Sequence, residues 1–309
     1  MSTLQMILLG LVLVGVAMSM NGRQGRKRTV VYVRMVLLGC AGLLTLSPFF
    51  WLICATIKDP SVMMSSTFLP PPSQWSSDTI NFNNFKALFH AEATARGTLT
   101  FALYIANSLF LACTQTVIAL VLSSLSGYAL AMYSFRGRSA LMTFMLGTMM
   151  MPGMILLAPV YRLLFNFGWL DTWWCLLVPG CVSAFGVFLF RQAFTQVPKE
   201  LLEAARIDGA GELRIYWQIV MPLVRPMSGA FCLITFLGSW NNFLGPQIYL
   251  SSQEKLTLPV VLNQYIDVYM QQYGVFLAGT LIAIIPAAIL FFSLQKEFVS
   301  GLTSGAVKG

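Results

Sequence analysis

The sequence predicts an all-α polytopic membrane protein, and two observations support this fold class. Of the 309 residues, 57% are hydrophobic and only 10% are charged. Soluble domains carry about 25% charged residues, so this chain lacks the charge needed to cover a water-facing surface. Several apolar stretches also reach the roughly 20 residues that a helix needs to cross the bilayer. The mean hydropathy of +0.74 agrees with this class.

Seven apolar segments are predicted to span the membrane: Leu4–Met20, Val30–Ile57, Leu99–Met132, Leu141–Phe165, Thr172–Phe190, Leu223–Leu244 and Val275–Gln295. The first segment is at the short limit for a span, so a cleaved signal peptide is an alternative. Its positive charges, RQGRKR at 23–28, follow the apolar run and do not precede it. This order favours a retained anchor with the N-terminus outside.

The distribution of basic residues predicts the orientation of the chain, because Lys and Arg are enriched in cytoplasmic loops. With the N-terminus outside, segments 21–34, 133–140, 191–222 and 296–309 are cytoplasmic. Together with Arg225 they hold 14 of the 19 Lys and Arg residues. Topology therefore explains the net charge of +8 without a nucleic-acid partner. The two larger external segments, 58–97 and 245–273, can be connecting loops or binding surfaces.

Residues for several kinds of chemistry are missing from the sequence. None of the 11 acidic residues lies inside a predicted span, which disfavours proton- and ion-coupled pumps. No paired carboxylates, nucleophile–base pair or metal-ligand cluster can be assembled, and His90 is the only histidine. The sequence also has no P-loop. We expect no catalytic residue, no metal and no bound cofactor, so that any ATP is bound by partner subunits.

One charged segment, PKELLEAARIDGAGELRIYWQIVMPLVRP at 198–226, lies between two apolar stretches. Pro198 suits the first turn of a helix, and strong helix formers follow it. Gly209 can adopt the left-handed conformation that ends a helix. A second helical run, ELRIYWQIV, is predicted to break at Met221-Pro222, where the membrane begins. The sequence therefore predicts two short helices joined by a glycine turn.

Residue types alone leave two interpretations of this segment. It can be an amphipathic linker between two spans. It can also be a docking helix, in which the small side chains of Ala204 and Ala205 let it seat closely in the groove of a partner. The acidic residues Glu200 and Glu203 lie in the first turns, where their negative charges interact favourably with the positive end of the helix dipole.

The stretch EAARIDGAGELRIYWQIVMP resembles the EAA loop of ABC importer permeases, whose pattern is Glu-Ala-Ala, then Asp-Gly-Ala, then a hydrophobic run ending in Pro. The matching residues are Glu203, Ala204, Ala205, Asp208, Gly209, Ala210 and Pro222. SPFFWLICATIKDP, SGYALAMYSFRGR and SWNNFLGPQIYL are similar to other parts of the carbohydrate-importer branch, the maltose and glycerol-phosphate type. The resemblance runs from about residue 35 to the C-terminus.

The resemblance implies a six-helix type I ABC importer permease core plus one extra N-terminal transmembrane helix, which that branch lacks. The domains would be an anchor with a basic cytoplasmic loop, 1–29, and a permease domain, 30–309, with the EAA loop at 198–222. The chain would be no enzyme. It would form the translocation pathway with a second, commonly non-identical permease. Two ATP-binding cassette ATPase subunits would dock on the EAA loops of the two permeases, and Glu203 would hold the loop of this chain locally or across that interface.

The resemblance further implies a bacterial or archaeal cell membrane, an extracytoplasmic solute-binding protein and a sugar or related polyol as substrate. Trp240, Asn241 and Asn242 are candidates for lining the pathway, since an aromatic face and amides suit a neutral polyol. Interfacial anchoring of Trp240 is the alternative. The competing classes are an ATP-independent secondary transporter or channel, a membrane-embedded enzyme and a non-transporting assembly subunit.

Overall fold

The computed structural model describes residues 22–90, 92–94, 97–266 and 271–306, and the chain divides into two compact units, Met1–Asn84 and Phe85–Gly309. The helices are α1 Gly22–Thr56, α2 Asn83–Leu88, α3 Phe101–Met132, α4 Arg138–Met149, α5 Leu157–Asn166, α6 Trp174–Gly180, α7 Ala184–Phe194, α8 Lys199–Ile207, α9 Glu212–Ile215, α10 Met221–Leu223, α11 Arg225–Trp240, α12 Leu244–Tyr249, α13 Leu258–Tyr265 and α14 Tyr273–Ala306. The strands β1 Glu92–Thr94 and β2 Gly97–Leu99 pair antiparallel. Single 3-10 turns occur at Pro60–Val62, Pro72–Gln74, Gly153–Leu156 and Gln253–Lys255.

Four described helices are long and apolar enough to cross a membrane: Thr29–Thr56, Phe101–Met132, Trp174–Phe194 and Tyr273–Glu297. Two bent pairs, Arg138–Met149 with Gly153–Asn166 and Glu212–Leu223 with Arg225–Trp240, raise the number to six if each pair is one span. Each of the last six predicted spans overlaps one of these elements. The predicted span Leu4–Met20 lies outside the described residues. The all-α membrane fold is confirmed, with the addition of one short hairpin that the sequence did not predict.

In the first unit, the chain that follows α1 is organised around Lys58. The Lys58 side chain is fully buried, and its Nζ donates hydrogen bonds to the carbonyl oxygens of Met63 at 3.1 Å and Ser66 at 2.7 Å. Asn84 Nδ2 donates to the carbonyls of Thr56 and Lys58, both at 2.9 Å. A buried polar group is stable only when it is hydrogen-bonded. These bonds therefore fix the path of the chain as it leaves the span.

In the second unit, α3 is the central element, because it packs against both α7 and α11. At Gly127 of α3, an added Cβ would lie 2.7 Å from Phe190 Cβ and 2.9 Å from the backbone N of Arg191. Small residues at helix crossings let backbones approach closely and are typical of membrane bundles. The buried apolar side chains form two clusters, one containing Phe236, Trp240 and Leu258 and the other containing Phe190, Phe194 and Phe231.

The predicted span Leu141–Phe165 is broken in its middle. Its two arms, Arg138–Met149 and Gly153–Asn166, are bent by 92°. The first arm has 12 residues and rises about 18 Å, so the break falls inside a hydrocarbon layer of about 30 Å. The residues of the break, 150–152, are exposed. Non-helical backbone at membrane depth is tolerated only where protein or a water-filled cavity covers it.

Polar side chains fix the connections at the ends of the bundle that lie away from residues 198–222. The Asp171 carboxylate accepts hydrogen bonds from the backbone N of Ser251 and Ser252, both at 2.9 Å, and pairs with Lys255 Nζ at 3.1 Å. Asn107 Nδ2 on α3 donates to the carbonyls of Glu254 at 2.9 Å and Leu256 at 3.0 Å. The segment 251–256 is therefore held both by the α5–α6 connection and by α3.

Candidate functional site

The motif Ala205, Asp208, Gly209, Ala210 forms the end of helix α8. Gly209 has φ of 79°, which confirms the predicted left-handed turn. The backbone N of Ala210 donates to the Ala205 carbonyl at 2.9 Å, and that of Gly209 donates to the Arg206 carbonyl at 3.0 Å. These two bonds define a Schellman motif, which satisfies the last carbonyls of a helix and needs a residue with positive φ, usually glycine. The Asp-Gly-Ala part of the motif is thus explained by the local backbone.

The helix α8 has one buried face and one exposed face. Leu202 and Ala205, three residues apart, are buried in the second unit. The residues at 200, 203, 204 and 207 share the opposite face by helical spacing and are exposed; we call them the outward face: Glu200, Glu203, Ala204 and Ile207. Ile207 is 86% exposed. Because Ala205 is buried within the chain, Ala204 alone of the two alanines is available to a partner.

Glu203 has no hydrogen bond or ion pair with another residue of the part of the chain that the structure describes. The carboxylate that holds the loop is Glu212 instead, at the start of α9. It accepts hydrogen bonds from Arg206 Nε at 2.8 Å, from the Tyr133 hydroxyl at 2.9 Å and from the Tyr128 hydroxyl at 3.2 Å. We call Tyr128, Tyr133, Arg206 and Glu212 the Glu212 clasp. It joins α8 and α9 to the C-terminal end of α3.

The charges and protonation states of the clasp follow from these bonds. The hydrogen bond to Glu212 raises the pKa of the Arg206 guanidinium, which therefore stays charged. Burial, followed by the hydrogen bond to Glu212, raises the pKa of the Tyr133 hydroxyl, which stays protonated and donates. The sequence reasoning missed these residues. Opposite charges on the two sides of the Asp-Gly turn, at Arg206 and Glu212, were the available signal.

A second, buried link joins the loop to α3. The hydroxyls of Tyr216 and Ser124 lie 2.6 Å apart and are hydrogen-bonded. The Tyr216 ring packs edge-on against the Tyr128 ring, with centroids 5.3 Å apart, and Tyr128 packs against Phe194 at 5.8 Å. This aromatic group belongs to the cluster around Phe190. The second half of the loop is therefore anchored in the core of the unit.

The predicted break at Met221-Pro222 is wrong in position. A π-helical turn, Tyr216–Val220, comes first, and the backbone N of Met221 donates to the Tyr216 carbonyl. Pro222 then lies near the start of α10, where its missing N–H is not required. The chain bends by 82° only between Leu223 and Arg225. The π-turn shifts the hydrogen-bond pattern so that the helix accommodates the proline.

The base of the loop borders an open pocket of about 400 Å³. It lies where the loop leaves α7 and enters α11, and its lining residues are Ala193, Gln196, Val197, Pro198, Leu223, Val224, Pro226 and Met227. The lining is mainly apolar.

The three candidates for lining the pathway lie at the end of α11. Trp240 is 3% exposed, its Nε1 donates to the Ala283 carbonyl at 3.1 Å, and its ring stacks on Phe236. Its aromatic face is therefore occupied within the chain. Asn241 and Asn242 are exposed, and Asn242 Oδ1 accepts from the backbone N of Gly245 at 3.2 Å. Among the described residues, no group of three or more His, Cys, Asp or Glu side chains could hold a metal ion.

Comparison with known proteins identifies the class. The family model described as "Binding-protein-dependent transport system inner membrane component" matches residues 119–302. The arabinooligosaccharides transport system permease protein AraQ of Bacillus subtilis is 36% identical, over 86% of this chain and 92% of that protein. The lactose transport system permease protein LacG of Rhizobium radiobacter is 31% identical, over 92% of this chain and 98% of that protein.

A solved structure has the same fold. It is the crystal structure of a bacterial ABC transporter involved in the import of the acidic polysaccharide alginate, with a TM-score of 0.75 and 24% identity, over 90% of this chain and 98% of that one. The chain belongs to the family of binding-protein-dependent transport system inner membrane components. It is a multi-pass membrane protein and the permease subunit of an ABC importer, so an ATP-independent transporter or channel is not favoured. The family is a transport family and not an enzyme family.

Proposed function

We propose that this permease imports a sugar or related polyol, which an extracytoplasmic solute-binding protein delivers. The printed names of the relatives support the substrate class: one concerns arabinooligosaccharides and another lactose. The exposed amides of Asn241 and Asn242 line the pathway and suit a hydroxyl-rich, uncharged solute, with Trp240 supporting them from the core. The chain has no catalytic activity and no cofactor of its own.

Two ATP-binding cassette ATPase subunits bind and hydrolyse the ATP, and they dock on the EAA loops of the two permeases; in this chain that loop is residues 198–222. The observation that carries this assignment is the outward face of α8. It combines a small residue, Ala204, with the 86% exposed Ile207 and the carboxylate of Glu203, which has no partner within the described chain. A small residue beside an exposed aliphatic side chain lets a helix seat in the groove of a partner. Glu203 pairs across this interface.

A second permease subunit, commonly non-identical, completes the translocation pathway. The break at 150–152 supports this partner, since exposed non-helical backbone at membrane depth needs protein or water to cover it. The distribution of Lys and Arg supports an EAA loop and C-terminus in the cytoplasm and an N-terminus outside, in a bacterial or archaeal cell membrane. In this assignment residues 1–29 form the anchor and the basic cytoplasmic segment, and residues 30–309 form the permease domain. The basic residues at 23–28 lie in the first turns of α1 and not in a loop.

Docking is tested by Ala204→Trp, which adds volume to the outward face without touching the buried Leu202 and Ala205. The matched control is Ala140→Trp, the same substitution at an exposed alanine of α4 outside the loop. We expect the complex purified through this chain to lose its ATPase subunits in Ala204→Trp and to retain them in the control. Retention of the ATPase subunits in both variants would contradict docking on this face.

A further inference from the structure

The angle at which α8 leaves the membrane domain depends on few contacts. The Schellman turn at Gly209 separates α8 from α9, and α8 buries only Leu202 and Ala205. An open pocket of about 400 Å³ borders the start of α8, and Pro198 is part of its lining. The remaining polar attachment of α8 within the described chain is the bond from Arg206 to Glu212.

The two links between the loop and α3 differ in physical character. The Tyr216–Ser124 pair is buried in an aromatic cluster, so it serves as a fixed attachment. The Arg206–Glu212 pair is half-exposed, with 43% of each side chain accessible. Exposed ion pairs are weak and form and break readily. The clasp therefore holds α8 without locking it.

We propose that Glu212 is the positioning residue that couples the docking helix to the transmembrane domain. Its carboxylate receives Arg206 from α8 and the hydroxyls of Tyr128 and Tyr133 from the end of α3. A displacement of α8 by a docked ATPase subunit is passed through Glu212 to α3. This inference rests on the proposed docking of the ATPase on α8, and it names the residues that carry the movement onward.

The test uses the complete importer in proteoliposomes and measures two quantities on each preparation. The first is the amount of ATPase subunit retained by the complex, and the second is the amount of substrate imported per ATP hydrolysed. The variants are Glu212→Ala, Tyr133→Phe and the charge exchange Arg206→Glu with Glu212→Arg. The matched control is Arg136→Ala, because Arg136 is exposed, lies outside the EAA loop and makes no side-chain hydrogen bond or ion pair within the described residues.

Glu212→Ala is expected to retain the ATPase subunits and to import about fivefold less substrate per ATP, since the exposed pair with Arg206 is weak and the hydrogen bonds from the two tyrosine hydroxyls supply most of the factor. Tyr133→Phe is expected to lower the substrate imported per ATP less than Glu212→Ala does. The charge exchange is expected to restore part of the import per ATP that Glu212→Ala loses. A purely structural role would lower the amount of folded complex and leave the substrate imported per ATP unchanged in the complex that remains. The control is expected to keep the wild-type ratio.

A wild-type ratio in Glu212→Ala overturns the proposal. If Glu212→Ala fails to fold, Tyr133→Phe decides, because it removes one hydroxyl and keeps the ring; a wild-type ratio there also overturns the proposal. Failure of docking is a separate result. It appears as retention of the ATPase subunits in Ala204→Trp, whatever the ratio in the Glu212 variants.

Discussion

A side chain at Gly209 is expected to disrupt coupling through backbone conformation alone. Gly209 has φ of 79°, and an added Cβ would meet no heavy atom within 4 Å. The cost of a substitution is therefore the strain of a left-handed conformation, about 1–2 kcal/mol for a residue with a Cβ. A free energy of this size changes a conformational equilibrium about 5- to 30-fold. Gly209→Thr is expected to lower uptake and binding-protein-stimulated ATP hydrolysis by that factor.

Gly211 provides the matched control two residues further along the chain. Its φ of −69° and ψ of 157° are ordinary for any residue, and an added Cβ there also meets open space. Threonine at the position before a helix is accepted about as well as glycine. Gly211→Thr is therefore expected to keep wild-type uptake and ATP turnover in proteoliposomes with matched amounts of complex. Equal activity of the two threonine variants would refute the reasoning.

Two further predictions concern the stability of the membrane domain, measured as the unfolding midpoint of the detergent-purified chain. Gly127→Ala is expected to lower the free energy of unfolding by about 1–3 kcal/mol through overpacking, since its Cβ would lie 2.7 Å from Phe190 Cβ. Gly147→Ala is the control and is expected to be neutral, because its Cβ would meet no heavy atom within 4 Å. Similar midpoints for the two variants would contradict the close packing of α3 on α7. Burial raises the pKa of Asp171, but hydrogen bonds from Ser252, Ser251 and Lys255 outweigh it and hold that pKa well below 3.8. The ionised carboxylate therefore stabilises the fold above about pH 4, and this contribution is lost as the pH falls lower. Asp171→Asn is expected to reduce the unfolding midpoint at pH 7. The midpoint of this variant is also expected to fall less in acid than that of the wild type.

The sequence predicted the features of the loop that are local. Strong helix formers followed by Asp208-Gly209 predict a helix and its left-handed end, and both are present. The sequence predicts the break at Met221-Pro222, before the observed bend, because no sequence pattern signals the π-turn that accommodates Pro222 in the helix. The burial of Ala205 could not be predicted from local patterns, because it depends on which side of α8 packs against the core.

The clasp could not be predicted from local patterns because it is a tertiary contact. Tyr128 and Glu212 lie 84 residues apart in the chain. Their approach follows from the packing of α3 on α7, which the close contact at Gly127 permits. The exposure of Asn241 and Asn242 beside the buried Trp240 is likewise set by the packing of α11 on α14.

The helix α3 contacts both polar ends of the domain. It has 32 residues and a length of about 48 Å. Near its start Asn107 holds the segment 251–256, and near its end Tyr128 holds Glu212. An axial shift or a rotation imposed on one end of a helix is carried to its other end. A displacement of segment 251–256 therefore acts on the same helix as a displacement of Glu212, although the two regions share no surface.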